Sequence, residues 1–517
     1  MALFLCYDIR GIQSFIFCIP KLKYIIGGSA LIDQFDRETA KKIAETVEGA
    51  EHLYSGGGKG AYYCKTNNDN KSIQKQLLAK AGEIGVDICF SVNENLSEAS
   101  NFKAQDLYAF EPDQLHGEPC PESALYPLGD KNKHPIIKKR VSDENNSINR
   151  YFENRLDVNE IFIPEVDLTQ KTKCFFKNVS PSGNMSGFQA LGSRNRWAVI
   201  CMDGNDMGIQ FKEMSELGIS SEEMAKWVRQ MSRALDDCIC EATIKGIQAV
   251  VRDWGQGRDF NKSEEIILPV RPLIVGGDDI IILCHTGYAM TFVKTVMAAF
   301  REKSRELNKK TEIDLWPATS GEVSISAGVL YCPVNLPLHT AIGYAEALLA
   351  SAKSKGRRQP KAKLKSPSVE CIDWEQITDS VIDTPQQRRQ RELIFIDKDN
   401  NNTKVCLTKR PYTLEAFKNL DTLSKNYEKC PRSVLYQVSK GLRQGFYDRL
   451  AFVAELAKHH PALASDLAEK DYQLGKQTSR WKYNDNNTSQ ETDVLDAILL
   501  LEEHTRMKGK SGNDNSN

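Results

Sequence analysis

Short apolar runs and longer amphipathic stretches alternate along the first 104 residues of the chain. We predict strands where β-branched and other apolar residues run together, and helices where apolar residues recur every three or four positions. The predicted elements in order are strand 3–9, a helix that begins near Ser29 and contains 39–47, strands 51–55 and 60–65, helix 72–84 and strand 86–92. The middle strands form a hairpin around Ser55-Gly56-Gly57-Gly58-Lys59. This β-α-β-β-α-β order predicts a ferredoxin-like domain.

The same order of elements returns in the second part of the chain. The predicted elements there are strand 197–202, helix 220–245, a hairpin around Gly276-Gly277-Asp278-Asp279, helix 288–307, strand 323–332 and helix 336–355. Two copies of one topology in a single chain indicate an internal duplication.

We therefore predict an α/β (α+β) protein with two ferredoxin-like domains and a helical C-terminal domain. The predicted parts are a first domain at 1–104, an irregular insertion at 105–185, a second domain at 186–366 and a mostly helical region at 367–517. The last region also contains a short hairpin (393–396 and 404–407), and its polar end, 508–517, is predicted to be disordered.

The composition limits the classes of protein that this chain can belong to. The 517 residues carry 68 Lys and Arg against 69 Asp and Glu, which argues against a protein that coats polyanions with a basic surface. No apolar stretch approaches the length of a membrane-spanning helix, and the N-terminus is typical of a first strand rather than a signal peptide. The 14 cysteines are scattered without a C-x-x-C pair, which favours reduced cysteines in a cytoplasmic protein; a zinc site would need ligands from distant positions.

The hairpin around Gly276-Gly277-Asp278-Asp279 is the strongest candidate for chemistry. Two adjacent carboxylates repel each other unless a cation lies between them, and hard divalent cations take oxygen ligands. Gly276 and Gly277 allow positive φ angles and a close approach of phosphate to the backbone. The hairpin is therefore a candidate site for a metal and a triphosphate, although Gly-Asp pairs are also common in ordinary surface turns.

Asp203 is the expected partner of the two hairpin acids. It ends the strand 197–202 of the same predicted domain, and open α/β sheets bind their ligands at the carboxyl ends of strands. Nucleotidyl transfer of the polymerase type uses two Mg²⁺ ions (or Mn²⁺) about 4 Å apart, held by carboxylates from neighbouring strands. Asp203 could instead cap a helix or form a turn, but its pairing with Asp278 and Asp279 favours the metal role.

Further candidates for binding the nucleotide lie next to these acids. The loop Gly204-Asn205-Asp206-Met207-Gly208 can offer backbone N–H groups to phosphate oxygens, for which we select Gly204, Asn205, Met207 and Gly208. Lys353, on the closing helix, could reach a triphosphate as a point charge, or could merely stabilise the end of that helix.

The first copy lacks the second copy's acids. Asp8 matches Asp203 by position, but Gly58-Lys59 stands where the second copy has Asp278-Asp279. The first domain therefore cannot assemble the same two-metal site.

Three stretches of the sequence resemble the large, polymerase-like subunit of type III CRISPR effector complexes, whose palm domains synthesise cyclic oligoadenylate. They are Asp8-Ile9-Arg10-Gly11-Ile12-Gln13-Ser14-Phe15-Ile16 with Gly27-Gly28-Ser29-Ala30-Leu31-Ile32, the two acidic motifs of the second domain, and Ser324-Ile325-Ser326-Ala327-Gly328-Val329 with Ala345-Glu346 and Ala352-Lys353. The last of these also resembles diguanylate cyclases. The likeness covers most of 1–355 and extends less specifically into the C-terminal region.

The resemblance implies that both ferredoxin-like domains are palms and that the second binds ATP. It further implies Mg²⁺ at Asp203, Asp278 and Asp279, a cyclic oligonucleotide product, and effector subunits and RNA as partners. The sequence departs from the family in having no His-Asp nuclease motif, no local zinc knuckle and Asn205 in the first metal loop where Asp is usual. Two other functions remain open: a cyclase that makes one fixed cyclic mono- or dinucleotide, and a non-catalytic scaffold that binds RNA or partner subunits.

Overall fold

A computed structural model describes most of the chain. The residues that it describes are 3–18, 22–100, 151–157, 172–175, 196–256, 265–357, 367–378, 383–468, 480–484 and 488–505. Most of the predicted insertion and the predicted disordered tail at 508–517 lie outside these residues.

The first domain has the predicted β-α-β-β-α-β topology. Its strands are β1 (Leu3–Arg10), β2 (Ala50–Gly56), β3 (Lys59–Cys64) and β4 (Asp87–Asn93), arranged in the sheet order β2-β3-β1-β4. Its helices are α1 (Ile12–Phe17), α2 (Leu22–Gln34), a π-helical turn (Phe35–Ala40), α3 (Lys41–Glu45), α4 (Asn67–Ile84) and α5 (Leu96–Ala99).

The helix expected to begin near Ser29 begins at Leu22 instead. Gly27 and Gly28 lower the intrinsic helix propensity of this segment. Tyr24, Ile25 and Ile26 nevertheless lie in the core, so the burial of one apolar face outweighs the propensity of the two glycines.

The second domain repeats the topology with a larger sheet. Its strands are β6 (Arg196–Gly204), β7 (Glu265–Leu268), β8 (Val270–Gly276), β9 (Asp279–Cys284) and β10 (Ile325–Pro333). Strands β10-β6-β9-β8 run in the same order as the four strands of the first domain, while β7 pairs separately with the short strand β5 (Thr172–Phe175). Strands β11 (Cys371–Gln376) and β14 (Tyr412–Thr413) extend the main sheet past β10, so the sheet includes residues beyond the predicted domain end at 366.

Helices cover this sheet and continue the core. They are α6 (Tyr151–Arg155), which precedes the domain, α7 (Met207–Glu216), α8 (Ser221–Gly255), a 3-10 turn (Thr286–Tyr288), α9 (Ala289–Lys310) and α10 (Leu338–Gly356). The N-terminus of α8 carries a capping box, in which the Ser220 hydroxyl accepts from the Glu223 N–H and the Glu223 carboxylate accepts from the Ser220 N–H. Helix α8 runs ten residues past the predicted end at 245 because Val250, Val251 and Trp254 continue its buried face.

The C-terminal part combines helices with a second small sheet. Its elements are α11 (Pro385–Glu392), β12 (Ile394–Asp397), β13 (Thr403–Cys406), α12 (Leu414–Asn426), a 3-10 turn (Tyr427–Lys429), α13 (Arg432–Gly441), α14 (Phe446–Ala457), α15 (Pro461–Leu467), β15 (Lys482–Tyr483), β16 (Ser489–Glu491) and α16 (Val494–Thr505). The predicted hairpin is present as β12 and β13, within the sheet order β12-β13-β16-β15. Among the described helices, none is both long and apolar enough to cross a membrane.

Buried ion pairs join the C-terminal part to the large sheet. Arg389 donates to Asp373 at 2.6 and 2.9 Å and to Glu375 at 3.1 Å, and both acids lie on β11. Arg410 donates to Glu375 and lies 3.0 Å from Asp496 of α16. Because an unpaired buried charge is strongly unfavourable, these pairs fix how the two parts pack together.

Candidate metal and nucleotide site

Three carboxylates meet at one edge of the large sheet. Asp203 lies at the end of β6, and Asp278 and Asp279 lie at the turn between β8 and β9. Asp203 stands directly opposite Asp279 in the β6–β9 ladder, and one oxygen from each of the three carboxylates lies within 4.8 Å of the others. Within the described residues, these three form the one group of acids, cysteines or histidines with the spacing of a metal site.

Glycines allow the turn and the loop opposite it to approach this closely. Gly277 has φ near +61°, a left-handed conformation that other residues rarely adopt. The Gly204 N–H donates to the Asp278 carbonyl at 3.1 Å, and a Cβ at Gly204 would lie only 3.0 Å from the Cβ of Asp278. The sequence thus places glycine where a side chain would push the carboxylates apart.

The electrostatics of the site fit a bound cation. Removal from solvent, followed by the negative charges of Asp203 and Asp279, raises the pKa of Asp278 above its ordinary value. Removal from solvent and the charge of Asp203 likewise raise the pKa of Asp279. A divalent cation would relieve this repulsion, and carboxylate oxygens are ligands suited to Mg²⁺ or Mn²⁺.

The ammonium group of Lys353 partly neutralises the negative charge of the three carboxylates. Its ammonium group is hydrogen-bonded to the Asp203 carboxylate and donates to the Gly204 carbonyl at 2.9 Å. The closing helix α10 therefore delivers a positive charge to the carboxylates, at the place where the sequence predicted a residue that binds the nucleotide.

The loop after Asp203 folds back onto the closing strand. The N–H and the side-chain amide of Asn205 both donate to Ser324, each at 2.8 Å.

Asp206 has φ near +66° and accepts from the N–H and hydroxyl of Ser368 at 2.6 and 2.7 Å, so its carboxylate stands outside the group of three. Met207 and Gly208 begin α7, where the Met207 side chain packs beside Gly204 and Gly208 is exposed.

The first domain forms the opposite wall of the site. The two glycine-rich turns touch, because a Cβ at Gly56 would lie 3.2 Å from the Gly277 nitrogen. A cavity of about 200 Å³ lies between the domains, and residues from both line it together with Asp279. Gln13 of α1 crosses the boundary and donates to Glu346 of α10 at 2.8 Å.

A network of ion pairs that the sequence did not predict supports the start of the hairpin. Arg155 contacts the Val275 carbonyl and donates to Asp33 at 3.1 Å and to Asp236 at 3.2 Å. Arg37 also bonds to Asp33 and Asp236. Asp33 and Arg37 are one helical turn apart, but Arg155 and Asp236 lie far from them in the sequence, so only the tertiary structure brings the network to the strand before Gly276.

The comparison with protein families is specific for this part of the chain. Residues 196–361 match the model of the Cas10/Cmr2 second palm domain. These residues belong to the Cas10/Cmr2 second palm family. The predicted palm-subunit resemblance is thereby confirmed for this second palm domain, which contains all three carboxylates and Lys353. No curated protein matches the chain.

One solved structure shares the fold over nearly the whole chain. A Csm1–Csm4 cassette in complex with cA4 matches with a TM-score of 0.50 and 14% identity, covering 98% of this chain and 70% of that one. The Csm1–Csm4 subcomplex of a type III-A CRISPR-Csm interference complex matches with a TM-score of 0.49 and 14% identity, covering 97% of this chain and 70% of that one. At 14% identity, the first match shows that the two chains share a fold and nothing more.

Proposed function

We propose that the second palm domain is a nucleotidyltransferase that converts ATP into a cyclic oligonucleotide of the cyclic oligoadenylate kind, for prokaryotic antiviral defence. The observation that carries this proposal is the convergence of Asp203, Asp278 and Asp279 on one edge of the sheet. Membership of these residues in the second palm family supports the assignment, and so does the shared fold with a Csm1 crystallised with cA4.

Asp203, Asp278 and Asp279 would hold two Mg²⁺ or Mn²⁺ ions, which supply a lowered pKa for the attacking ribose hydroxyl and charge stabilisation for the leaving pyrophosphate. The chain's own contribution is positioning. The paired strands β6 and β9 fix the three carboxylates, and the left-handed Gly277 exposes backbone beside them. Lys353 would exchange its bond to Asp203 for a bond to a triphosphate oxygen when nucleotide and metal bind.

Joining nucleotides into an oligomer requires two of them to be bound side by side. The first palm would line the part of the site opposite the carboxylates and so hold the second nucleotide. The contact between Gly56 and Gly277 and the cavity between the domains support this arrangement. We propose that the Gly276–Gly277 segment and the N–H groups of Met207 and Gly208 bind phosphates on the acidic side. The N–H groups of Gly204 and Asn205, which the sequence also suggested, already bond to Asp278 and Ser324. Effector subunits of the CRISPR type and RNA are the proposed partners of the whole chain.

Product analysis tests this function directly. The purified chain is incubated with each nucleoside triphosphate and Mg²⁺ or Mn²⁺, and pyrophosphate and cyclic products are identified by mass spectrometry. ATP should yield cyclic oligomers, and Asp278→Asn with Asp279→Asn should abolish them. Asp8→Asn is the matched control, because Asp8 holds the equivalent strand position in the first palm. A single cyclic mono- or dinucleotide would instead favour the cyclase of fixed product.

Metal binding provides a second readout that does not depend on turnover. Mn²⁺ titration followed by electron paramagnetic resonance should detect binding in the wild type and in Asp8→Asn, and loss of it in the double variant. Normal Mn²⁺ binding by the double variant would contradict the site. Salt-sensitive RNA binding without Mn²⁺ binding or turnover would favour the scaffold function.

A further inference from the structure

A second cavity, of about 560 Å³, lies away from the carboxylates where the second palm meets the C-terminal part. Its walls come from the end of α10, the start and outer face of α12, and the segment around β15. We call it the cationic cleft and define it by four of its lining residues, Lys355, Lys409, Arg480 and Lys482. Its volume is within the range of small-molecule and nucleotide sites.

Positive charge exceeds negative charge in this cleft. Arg480 and Asp493 form a two-pronged ion pair at 3.0 and 2.6 Å, and Lys409 lies 3.7 Å from the same carboxylate. Glu491 stands opposite Lys482 in the β15–β16 ladder, but no carboxylate of the described residues lies within ion-pair distance of Lys482 or of Lys355. Two exposed ammonium groups therefore face the cleft beyond the charge that its acids neutralise.

The environment of Lys409 also favours an incoming anion. Removal from solvent lowers the pKa of Lys409. The negative charges of Asp493 and Glu491 raise it, and the positive charges of Lys482 and Arg480 lower it again. An anion bound in the cleft would stabilise the charged form of Lys409, because it would interact favourably with Lys409, Lys482 and Arg480 at once.

The uncharged lining indicates which part of a ligand would be recognised. Asn419 and Asn426 lie exposed on α12 and can donate through their amides. The aromatic ring that lines the cleft, Tyr412, is buried, and its hydroxyl donates to Asp496 at 2.6 Å. The described walls thus offer charge and amide donors but no exposed ring on which a base could stack, which favours recognition of phosphate over recognition of a base.

We propose that the cationic cleft binds the phosphate groups of a nucleotide-derived polyanion, at a site separate from the carboxylates. Two sources share this chemistry: the backbone of a single-stranded RNA, and a free polyphosphate such as that released from a nucleotide. The lysines would hold the phosphates as point charges, and the amides of α12 would donate to phosphate or ribose oxygens.

The test measures binding of a fluorescent oligouridylate to the full chain by anisotropy at several salt concentrations. Lys355→Ala with Lys482→Ala should weaken binding roughly ten-fold at low salt and should flatten the salt dependence. The control is Lys42→Ala with Lys458→Ala, which removes two exposed lysines outside the cleft, each paired with a glutamate of its own helical region, and should change little. Equal weakening by both double variants, or no binding, would overturn the proposal.

Competition distinguishes the two sources. Displacement of the oligouridylate by equimolar inorganic tripolyphosphate would assign the cleft to free polyphosphate, while displacement only by unlabelled oligouridylate would assign it to RNA. The Asp278→Asn with Asp279→Asn variant should bind oligouridylate as the wild type does. Its failure to bind would relocate the RNA to the carboxylate site, independently of whether the proposed synthesis occurs.

Discussion

The two palms place different charges on the same strand frame. In the first palm, Asp8 stands opposite Lys59 in the β1–β3 ladder, whereas in the second Asp203 stands opposite Asp279 in the β6–β9 ladder. An opposite-charge pair across two strands is stable by itself, but two carboxylates at the same place need a cation. Two differences in the turn, Gly58 against Asp278 and Lys59 against Asp279, therefore separate a structural hairpin from a candidate metal site.

The two palms also differ in where glycine lies at the contact between the first strand and the hairpin turn. The Ile9 N–H donates to Gly58 in the first palm, as the Gly204 N–H donates to Asp278 in the second. The first palm thus has its side chain on the strand and glycine in the turn, and the second palm has the reverse. At the contact between strand and turn, each palm has space for only one of the two side chains. The second palm fills that space with the carboxylate of Asp278.

The largest effect is expected when the charge pattern of the first palm is imposed on the second. Asp279→Lys should abolish Mn²⁺ binding and reduce pyrophosphate release from ATP by roughly 10³-fold or more, because it replaces a metal ligand by a repelling cation. Electron paramagnetic resonance with Mn²⁺ and a pyrophosphate assay measure the two effects. Asp8→Asn is the control in the first palm and should change neither readout, and a variant of Asp279→Lys that still bound Mn²⁺ would contradict the comparison.

The next-largest effect concerns the carboxyl group of Asp36, which is buried beneath the hairpin turn of the first palm. Asp36 is fully buried and accepts from the Gly58 N–H at 2.7 Å and from the Tyr7 hydroxyl at 2.8 Å. Burial raises the pKa of Asp36 to about 7, although these two hydrogen bonds lower it. The folded chain therefore holds a proton that the unfolded chain releases near its ordinary pKa of 3.8.

This pKa predicts that stability falls as the pH rises towards neutrality. Because the native state binds more protons than the unfolded state between the two pKa values, the free energy of unfolding should fall by about 1–4 kcal/mol between about pH 4 and about pH 7. Urea unfolding at several pH values measures it. Asp36→Asn should reduce this slope, while Asp69→Asn, on the exposed cap of α4, should leave it in place. An unchanged slope in Asp36→Asn would refute the assignment.

A smaller effect tests the exchanged glycines. Gly204→Ala should lower the free energy of unfolding by about 1–3 kcal/mol and weaken Mn²⁺ binding, because its Cβ would meet that of Asp278. Gly208→Ala is the matched control in the same loop, since a Cβ there meets nothing within 4 Å and alanine favours the helix. Equal stability of the two variants, measured by chemical denaturation, would show that the close approach at Gly204 is not required.

Local patterns in the sequence predicted the parts of the site that depend on neighbouring residues. The strand that ends at Asp203 and the hairpin around Asp278 follow from apolar runs and glycine, and the order of elements correctly predicted that they share a sheet. The support from Arg155 could not be predicted, because it depends on contacts across more than a hundred residues. The same holds for Asp36, whose effect comes from burial and not from its sequence context.

The smallest effect tests whether the lysine of the first hairpin acts on the acids of the second. Lys59 is exposed, yet its charge lowers the pKa of Asp279 across the boundary between the palms, against the larger effect of burial. Because a positive charge near a cation site repels the cation, Lys59→Met should tighten Mn²⁺ binding by about two- to five-fold at low salt. The gain should fade as salt rises, since exposed charges are screened. Lys75→Met, on the exposed face of α4, provides a control that should not change the affinity. A weaker Mn²⁺ affinity in Lys59→Met would mean instead that the lysine helps to hold the acids in place, and the two hairpins would then form one shared site.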